Sequence, residues 1–356
     1  MTPFISPFVK KRILPLALLV SLATSGSAWA ESTFTVERKP VNKGAYELVY
    51  DSPQALYVAT SGSRKFDKGG ALYRLDPATL NITQTIKNEL KPFGLAMNKK
   101  TGTLFLGNTI NSAITAVDAK SGEVKGSLVL DKRPRTETER PLAPRELVVD
   151  ESTNTVYMGG LGDQSVVWVI DGATLQLRKT IEGLGKYATG LALDSAASRL
   201  YVTNADNEVI TIDTKTDTVI SRVKLEADAD HFYLNIALDP ATHRAFITDS
   251  KSPQLLVVNT ENGKVLQKVE VPVSLAVLFN PVRHEIYVTH REAGKVSVID
   301  GKTYKMLHSI DTPVHPNSLA LSDDGQSLFV SVKQASSKKQ EASAPDDVVR
   351  ITFADK

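Results

Sequence analysis

Three short segments near the middle of the chain decide the fold: Gly190-Leu-Ala-Leu-Asp194, Leu200-Tyr-Val-Thr-Asn204 and Val209-Ile-Thr-Ile-Asp213. Each is rich in the aliphatic, aromatic and β-branched residues that favour strands, and polar residues separate each segment from the next. None shows the 3.6-residue spacing of an amphipathic helix. The stretch therefore predicts three consecutive strands joined by tight turns.

The same unit recurs along the chain, and the aromatic residue of its second segment marks each copy. These aromatic residues are Tyr57, Phe105, Tyr157, Tyr201, Phe246, Tyr287 and Phe329. The third segment ends in a carboxylate or amide residue at Asp76, Asp118, Asp171, Asp213, Asn259 and Asp300. A repeat of roughly 40–45 residues with four short strands is typical of a propeller blade. We therefore predict an all-β fold, a seven-bladed β-propeller of four-stranded blades.

The seventh copy is one strand short. It supplies segments at Ser318–Leu321, Ser327–Val332 and Val348–Phe353, and no fourth segment follows. Thr33–Val41 is extended in character and precedes the first copy without a partner. Pairing this segment with the last blade would close the ring and remove two open sheet edges, which otherwise promote aggregation. We predict that residues 31–356 form one domain closed in this way.

The repeat resembles a known family. Tyr201-Val-Thr-Asn204, followed by a strand that ends in Ile212-Asp213, is similar to the YVTN-type β-propeller repeat. Longer stretches such as Ser274–Pro281 and His315–Leu321 resemble the YncE-like periplasmic seven-bladed β-propellers. The resemblance covers almost the whole chain after the first thirty residues. It implies a periplasmic propeller with suspected single-stranded DNA binding and no established enzymatic reaction.

The first thirty residues have the features of an export signal. Lys10, Lys11 and Arg12 precede the apolar run Ile13–Ala23, and Ala28-Trp-Ala30 has the small-x-small pattern of a cleavage site. The apolar run is shorter than the roughly 20 residues that a transmembrane helix needs. We therefore expect a signal peptide over residues 1–30, cleavage near Ala30, a periplasmic location and no transmembrane segment.

The charge balance and the lack of cysteine limit the possible functions. The chain of 356 residues has a net charge of +2, and removal of the three positive charges in the signal leaves −1. A uniformly basic nucleic-acid binder is thereby disfavoured, so an anion site must come from local clusters. Without cysteine there are no disulfides, thiolate nucleophiles or cysteine-ligated metals.

Three long loops are predicted on one face of the propeller, because alternate loops of an antiparallel blade emerge on the same side. The first insertion is Ser61–Gly70, the second is Leu130–Arg145 and the third is Lys333–Asp347. The first two each carry a net charge of +2, which suits phosphate groups. The third has no net charge, and its Ser/Ala/Gln/Lys-rich composition predicts a mobile flap.

These loops supply the first candidate site, for single-stranded DNA or another extended anion. The candidate residues are Arg64, Lys65, Lys132, Arg133, Arg135 and Arg145, with Tyr46 and Phe93 as aromatic platforms for bases. Phe66 and Tyr233 are expected beside them on the same face. The alternative interpretation is a pair of solvated, salt-bridged loops above packed aromatic residues.

A second candidate site rings the mouth of the central channel, where the innermost strands begin. Its candidate ligand residues are Glu47, Glu146, Asn235, His315 and Asn317. They support an alternative function as a small-ligand sensor or a cation-dependent, lactonase-like enzyme. Because Ca²⁺ takes 6–8 oxygen ligands and the ring lacks a third and fourth acidic residue, we expect no metal and no other cofactor. In the plainer interpretation these groups only bind water at the channel entrance.

No motif for catalysis is present. Gly-x-Ser-x-Gly, phosphate-binding and EF-hand loops are absent, and His284 and His290 lie about 20 Å apart on an extended strand, too far to share a metal. His231, His243 and His308 are expected on the surface. We predict a monomeric binding protein rather than an enzyme, with single-stranded DNA or another polyanion as its partner.

Overall fold

The computed structural model describes residues 33–226, 229–337 and 339–354, and the predicted signal peptide lies outside these residues. Within the described residues, the regular structure consists of 28 β-strands and one 3-10 helix, Pro240–Thr242. Strands β1 to β13 span, in order, Phe34–Pro40, Ala45–Ser52, Ala55–Thr60, Gly70–Leu75, Ile82–Asn88, Gly94–Asn98, Thr103–Asn108, Ala113–Asp118, Val124–Val129, Ala143–Asp150, Thr155–Leu161, Val166–Asp171 and Leu177–Ile181. Strands β14 to β28 span, in order, Gly190–Asp194, Arg199–Thr203, Glu208–Asp213, Thr218–Lys224, Tyr233–Asp239, Arg244–Asp249, Gln254–Asn259, Val265–Glu270, Val277–Asn280, Glu285–His290, Lys295–Asp300, Met306–Asp311, Pro316–Leu321, Ser327–Val332 and Asp347–Phe353.

The strands form seven four-stranded antiparallel sheets. Six of them follow chain order: blade one is β2–β5, and β6–β9, β10–β13, β14–β17, β18–β21 and β22–β25 make blades two to six. The innermost strand of each blade contacts the innermost strand of the next, and β26 of blade seven contacts β2 of blade one. The seven-bladed propeller predicted from the repeat is confirmed.

The N-terminal strand closes the ring. β1 pairs antiparallel with β28, from Phe34 opposite Phe353 to Pro40 opposite Asp347, so blade seven has the order β1-β28-β27-β26. The spare first segment therefore fills the strand deficit of the last repeat, as predicted. β1 therefore covers the outer edge of β28, which would otherwise be unpaired.

The repeated aromatic residues fill the spaces between blades. All seven, from Tyr57 to Phe329, are buried. Tyr57 illustrates the arrangement: it packs with Leu95 and Leu104 of blade two, and its hydroxyl donates a 2.9 Å hydrogen bond to the Ala119 carbonyl. One large side chain per blade thus removes apolar surface from water and joins two neighbouring sheets.

Hydroxyl residues near the end of the second strand link one blade to the next. Thr248 Oγ1 donates to the Leu275 carbonyl at 2.7 Å, and Thr289 Oγ1 donates to the Asn317 carbonyl at 3.2 Å. Ser331 Oγ donates to the Tyr46 carbonyl at 2.5 Å, which joins blade seven to blade one. In blades five, six and seven, this hydroxyl position is therefore explained by the hydrogen bond that it makes to the next blade.

The turns that connect strand one to two and strand three to four form the short-turn face. Here the Asp or Asn at the end of the third strand of blades one to six caps the following turn. In blade three, Asp171 Oδ1 accepts hydrogen bonds from the Ala173 and Thr174 amides, both at 2.9 Å. Asp118 and Asn259 make the same pair of bonds in their blades. These bonds satisfy backbone donors in a turn.

The remaining loops form the loop-rich face, which carries the three insertions. The amide of Ser61 donates to the Gly44 carbonyl at 2.8 Å, so the first insertion lies beside the entry to blade one. Glu341 of the third insertion accepts hydrogen bonds from the Ser63 hydroxyl and, at 2.8 Å, from the Arg64 amide. These contacts place the first and third insertions side by side on one face, as predicted.

Candidate functional site

A pocket of about 350 Å³ lies on the loop-rich face where blades seven, one and two meet. Its aromatic wall is the pair Tyr46 and Phe93, whose ring centroids are 4.6 Å apart with planes tilted by 53°. Tyr46 is in β2, and Phe93 immediately precedes β6, where its carbonyl accepts a 3.3 Å hydrogen bond from the Glu47 amide. The two predicted aromatic platforms are therefore neighbours, held by the innermost strands.

Two buried lysines line the same pocket. Lys91 donates to the Ser63 carbonyl, and burial lowers the pKa of its amine. Lys333 Nζ lies 3.8 Å from the centre of the Tyr46 ring and donates to the Ala45 carbonyl at 3.2 Å. A cation therefore already covers one face of Tyr46, so this ring has less surface for a base than the sequence suggested.

The third insertion forms a wall of this pocket. Asp346 is 2% exposed and accepts hydrogen bonds from the Gly44 and Ala45 amides at 2.8 and 2.9 Å. Together with the Glu341 contacts to the first insertion, these bonds tie Lys333–Asp347 to blade one. We predicted a mobile flap apart from any site, whereas the structure makes the described part of this insertion a component of the pocket.

A loop of blade two separates the two basic insertions. Asn111 Nδ2 donates to the Asp67 carbonyl of the first insertion at 3.4 Å. On its other side, the Ile110 carbonyl accepts a 3.3 Å hydrogen bond from Arg135 of the second insertion. The structure thus brings the two predicted clusters together, one on each side of this loop.

The predicted cations differ in how much of their charge is available. Arg133 forks onto Asp131 with bonds of 2.5–3.0 Å, and this arginine is the main reason that the pKa of Asp131 falls to about 2. Arg145 lies half-buried with its guanidinium carbon 5.7 Å from the Tyr46 ring centre. Arg64, Lys65, Lys132 and Arg135 are exposed, as is Arg140.

Two further aromatic features lie on this face. Phe66, at the tip of the first insertion, is 66% exposed. Tyr187 and Phe232 form a pair with centroids 6.1 Å apart, with Lys186 Nζ 5.6 Å from the Tyr187 ring. Tyr187 also lines a groove of about 670 Å³ together with Arg133, Arg135 and Arg140. We did not predict the Tyr187–Phe232 pair, and neither residue falls at a repeat position that would mark it.

The structure places Tyr233 and His231 differently from the sequence-based prediction. Tyr233, expected on the loop-rich face, is fully buried and stacks on His231 at 5.5 Å, so it cannot receive a base. His231, expected on the surface, is 3% exposed; its Nδ1 lies 2.5 Å from Asp249 Oδ2 and its Nε2 lies 3.3 Å from Glu226 Oε2. Two carboxylates hold this imidazole inside blade five.

The mouth of the central channel contains a cavity of about 70 Å³. Its polar lining comes from Glu47, Arg145, Glu146, Asn235, Asn317 and Ser318. Burial raises the pKa of Glu47, and burial together with the charge of Glu47 raises the pKa of Glu146 to about 8. Four of the five predicted channel residues therefore meet in one cavity. His315 is absent from this lining, and its Nδ1 lies 3.2 Å from the Arg291 carbonyl.

Among the residues that the structure describes, no three His, Cys, Asp or Glu side chains come together as a metal centre. His290 is buried in β23 with Nε2 2.8 Å from Ser297 Oγ, and burial lowers its pKa. Within the same part of the chain, no helix is long and apolar enough to cross a membrane.

Seven four-stranded blades, a closing N-terminal strand and one loop-rich face define a β-propeller whose distinctive chemistry lies on that face. The model of the YNCE-like beta-propeller family matches residues 46–355, and the chain belongs to this family. It is 60% identical over 338 residues to "Uncharacterized protein YncE" of Escherichia coli K12, covering 94% of this chain and 96% of the relative. It is 59% identical over 350 residues to the protein of that name in Salmonella typhimurium LT2, covering 98% of both chains.

Solved structures agree on the fold. Hydrazine synthase of Kuenenia stuttgartiensis superposes with a TM-score of 0.68 over 83% of this chain and 94% of its own, at 13% sequence identity. At this level of identity the likeness concerns the propeller alone, since one scaffold carries many functions.

Proposed function

We propose that this propeller binds single-stranded DNA, or another extended polyanion, across its loop-rich face. The observation that carries the proposal is the placement of the two basic insertions on either side of one blade-two loop, next to exposed and half-exposed aromatic rings. Phosphates need clustered cations, and unstacked bases need flat apolar surfaces. Both are concentrated on one face of a protein whose overall net charge is only +2.

The exposed cations are the residues best suited to bind phosphates. Arg64 and Lys65 on one side of the loop, and Lys132 and Arg135 on the other, have exposed side chains. Arg133 is a weaker candidate because it already forks onto Asp131. Lys91 and Lys333 are buried and donate to carbonyl oxygens, so they support the pocket instead of reaching a strand on the surface.

Single strands are favoured over duplex DNA by the aromatic groups. Phe66 is exposed on the first insertion, and Tyr187 lines the groove beside the second. The bases of a single strand can stack on such rings, whereas the bases of a duplex are already stacked on each other. Each stacked base contributes about 1–3 kcal/mol with little dependence on sequence.

Anisotropy titration of a fluorescent oligothymidine tests the proposal. Affinity should fall as salt rises, with a log–log slope of about −0.7 for each phosphate contacted. The changes Arg64→Ala/Lys65→Ala and Lys132→Ala/Arg135→Ala should each weaken binding and flatten that slope. The matched control is Lys215→Ala/Lys302→Ala, which removes two exposed lysines from the short-turn face and should leave the slope unchanged.

Three results would count against all or part of the proposal. Equal loss of affinity in the control would mean that only the overall charge matters. Unchanged binding in both insertion variants would show that the basic loops are solvated and contribute nothing. A preference for duplex over single strands would remove the role of the aromatic rings.

We also propose that the protein acts in the periplasm after removal of residues 1–30. The support is the pattern of basic, apolar and small residues that precedes Glu31. Cell fractionation with mass determination of the N terminus tests this, since a mature chain beginning far from Glu31, or a cytoplasmic one, would contradict it.

A further inference from the structure

Blades one, three, five and seven place oxygen-bearing side chains in the mouth of the channel. Glu47 comes from β2, Glu146 from β10, Asn235 from β18 and Asn317 from β26. The equivalent positions in blades two, four and six are Gly94, Gly190 and Ala276, and the equivalent position in blade seven is Ser318, which follows Asn317. The propeller frame can therefore be built without polar groups here, so their presence needs another explanation.

The two carboxylates have no close cationic partner. In the described part of the chain, no lysine, arginine or histidine nitrogen lies within 4 Å of either, and Arg145 is directed against the Tyr46 ring. Glu47 accepts a hydrogen bond from the Ser318 hydroxyl, and no described group donates one to Glu146. Arg145 contributes a positive charge to the same cavity but makes no direct ion pair with either carboxylate. Enclosing two carboxylates without such a pair is costly, and in proteins buried charges are usually paired or bound to a metal.

The amide side chains supply a second, independent observation. Asn317 is 2% exposed, lines the same cavity, and its Oδ1 has no hydrogen-bond partner among the described residues. Asn235 uses its Nδ2 to donate to the Leu275 carbonyl at 3.1 Å, which leaves its Oδ1 as the free end of the amide. A buried amide oxygen without a partner is rare and indicates a missing ligand.

We propose that the channel mouth binds a calcium ion through Glu47, Glu146 and the amide oxygens of Asn235 and Asn317. The donors are all oxygen atoms, the set that Ca²⁺ prefers, and no nitrogen or sulfur ligand that would favour a transition metal lines the cavity. Carboxylates can bind through both oxygens, and a cavity of about 70 Å³ has room for the ion and a water.

This proposal replaces the sequence-based expectation that the site holds no metal. That expectation counted acidic residues only, whereas amide oxygens also bind Ca²⁺. Arg145 also lines the cavity, and its positive charge opposes a cation. We therefore expect a dissociation constant on the order of 10⁻⁴–10⁻³ M, as in extracellular calcium modules.

Calcium titration of chelator-treated protein, followed by thermal melting and calorimetry, tests the site. Ligand binding to the folded state raises the melting temperature by mass action, so Tm should rise through the millimolar range with CaCl₂ and less with MgCl₂. Glu146→Gln and Asn317→Ala should each abolish the rise. Glu182→Gln/Glu270→Gln, which removes two exposed glutamates outside the channel, should keep it.

Either of two results would overturn the proposal: no calcium-dependent rise in the original chain up to about 10-fold above the expected dissociation constant, or an equal rise in Glu146→Gln and in the control. Folding of Glu146→Gln is not in question, because the change is isosteric and removes an unpaired charge. The experiment contains no DNA, so its outcome is independent of the proposed function of the loop-rich face.

Discussion

The two faces of the propeller differ in whether their chemistry repeats. On the short-turn face the same acceptor, Asp171 or its equivalents, caps the same kind of turn in blade after blade. On the loop-rich face the three insertions differ in length, charge and contacts, and only the first two are basic. The short-turn face is built from one repeated element, whereas the loop-rich face is built from segments that differ from blade to blade.

The difference separates residues required by the frame from residues that the frame does not need. A residue found in almost every blade is explained by the turn, strand or blade contact that it makes there. Phe66 and Lys132 have no counterpart in the other copies, Glu146 is matched only by Glu47 of blade one, and no local structural demand accounts for them. The same criterion picks out the loop-rich face and the channel mouth, and it can be tested through stability.

The largest loss of stability should follow deletion of residues 31–41, because that removes β1 from blade seven. The seven-residue ladder from Phe34 to Pro40 would be lost, and β28 would become an open edge. We expect the melting temperature to fall by several degrees, with aggregation, in a thermal scan monitored by light scattering.

The control for the deletion of residues 31–41 is a deletion of exposed residues from the loop-rich face. Replacing Pro134–Glu139 with Gly-Gly leaves the Arg133–Asp131 pair in place and should change the melting temperature by about 1 °C or less. Equal effects of the two deletions would mean that the insertion belongs to the frame.

The fold could be predicted because its determinants repeat and are local. The aromatic and acidic positions recur in register, so each copy reinforces the assignment of the others, and the strand deficit of the last copy specifies the role of the first segment. No such averaging helps at the sites. Glu341 contacts Ser63 although the two residues are 278 positions apart in the sequence. The composition of the third insertion does not predict that contact.

The sequence also could not predict on which side of a strand an individual side chain lies. Successive residues of a strand point to opposite sides, so an error of one position reverses the result. Phe232 faces its partner Tyr187 near the surface, while Tyr233 points into the core at the start of β18, where the pairing with β19 shifts register between Tyr233 and Ile236. The sequence predicted Asn235 and Asn317 at the channel mouth. Only the structure shows that Asn317 Oδ1 has no hydrogen-bond partner among the described residues.

A smaller loss of stability is expected from Asp171→Ala on the short-turn face. The change removes the acceptor of two backbone bonds and the partner of Arg178, which should cost about 1 kcal/mol, or roughly 2 °C. Asp163→Ala, at an exposed position on the loop-rich face, is the matched control and should cost less than about 0.5 kcal/mol.

The effect of Asp171→Ala should also depend on pH. The Thr174 and Ala173 amides and Arg178 lower the pKa of Asp171 in the folded protein to about 2, below the ordinary value near 3.8. The stabilisation by the carboxylate is therefore complete above about pH 4 and is lost as pH falls through about 2. Melting curves at pH 7, 4 and 2 should show the difference between the two proteins shrinking, and a constant difference would contradict the capping role.

The smallest change in stability should come from Phe66→Ala at the tip of the first insertion. The ring is 66% exposed, so its removal sacrifices little packing and should alter the melting temperature by about 1 °C or less. Val282→Ala, 58% exposed on the short-turn face, is the control for the loss of an exposed apolar group. If a base stacks on Phe66, only the Phe66 variant loses about 1–3 kcal/mol of oligothymidine binding. An abasic strand separates stacking from charge, because on that strand the two variants should bind equally well. A fall of several degrees in the melting temperature of the Phe66 variant would instead show that this ring stabilises the propeller. The distinction between structural and functional residues would then be wrong for the most exposed aromatic residue of the loop-rich face.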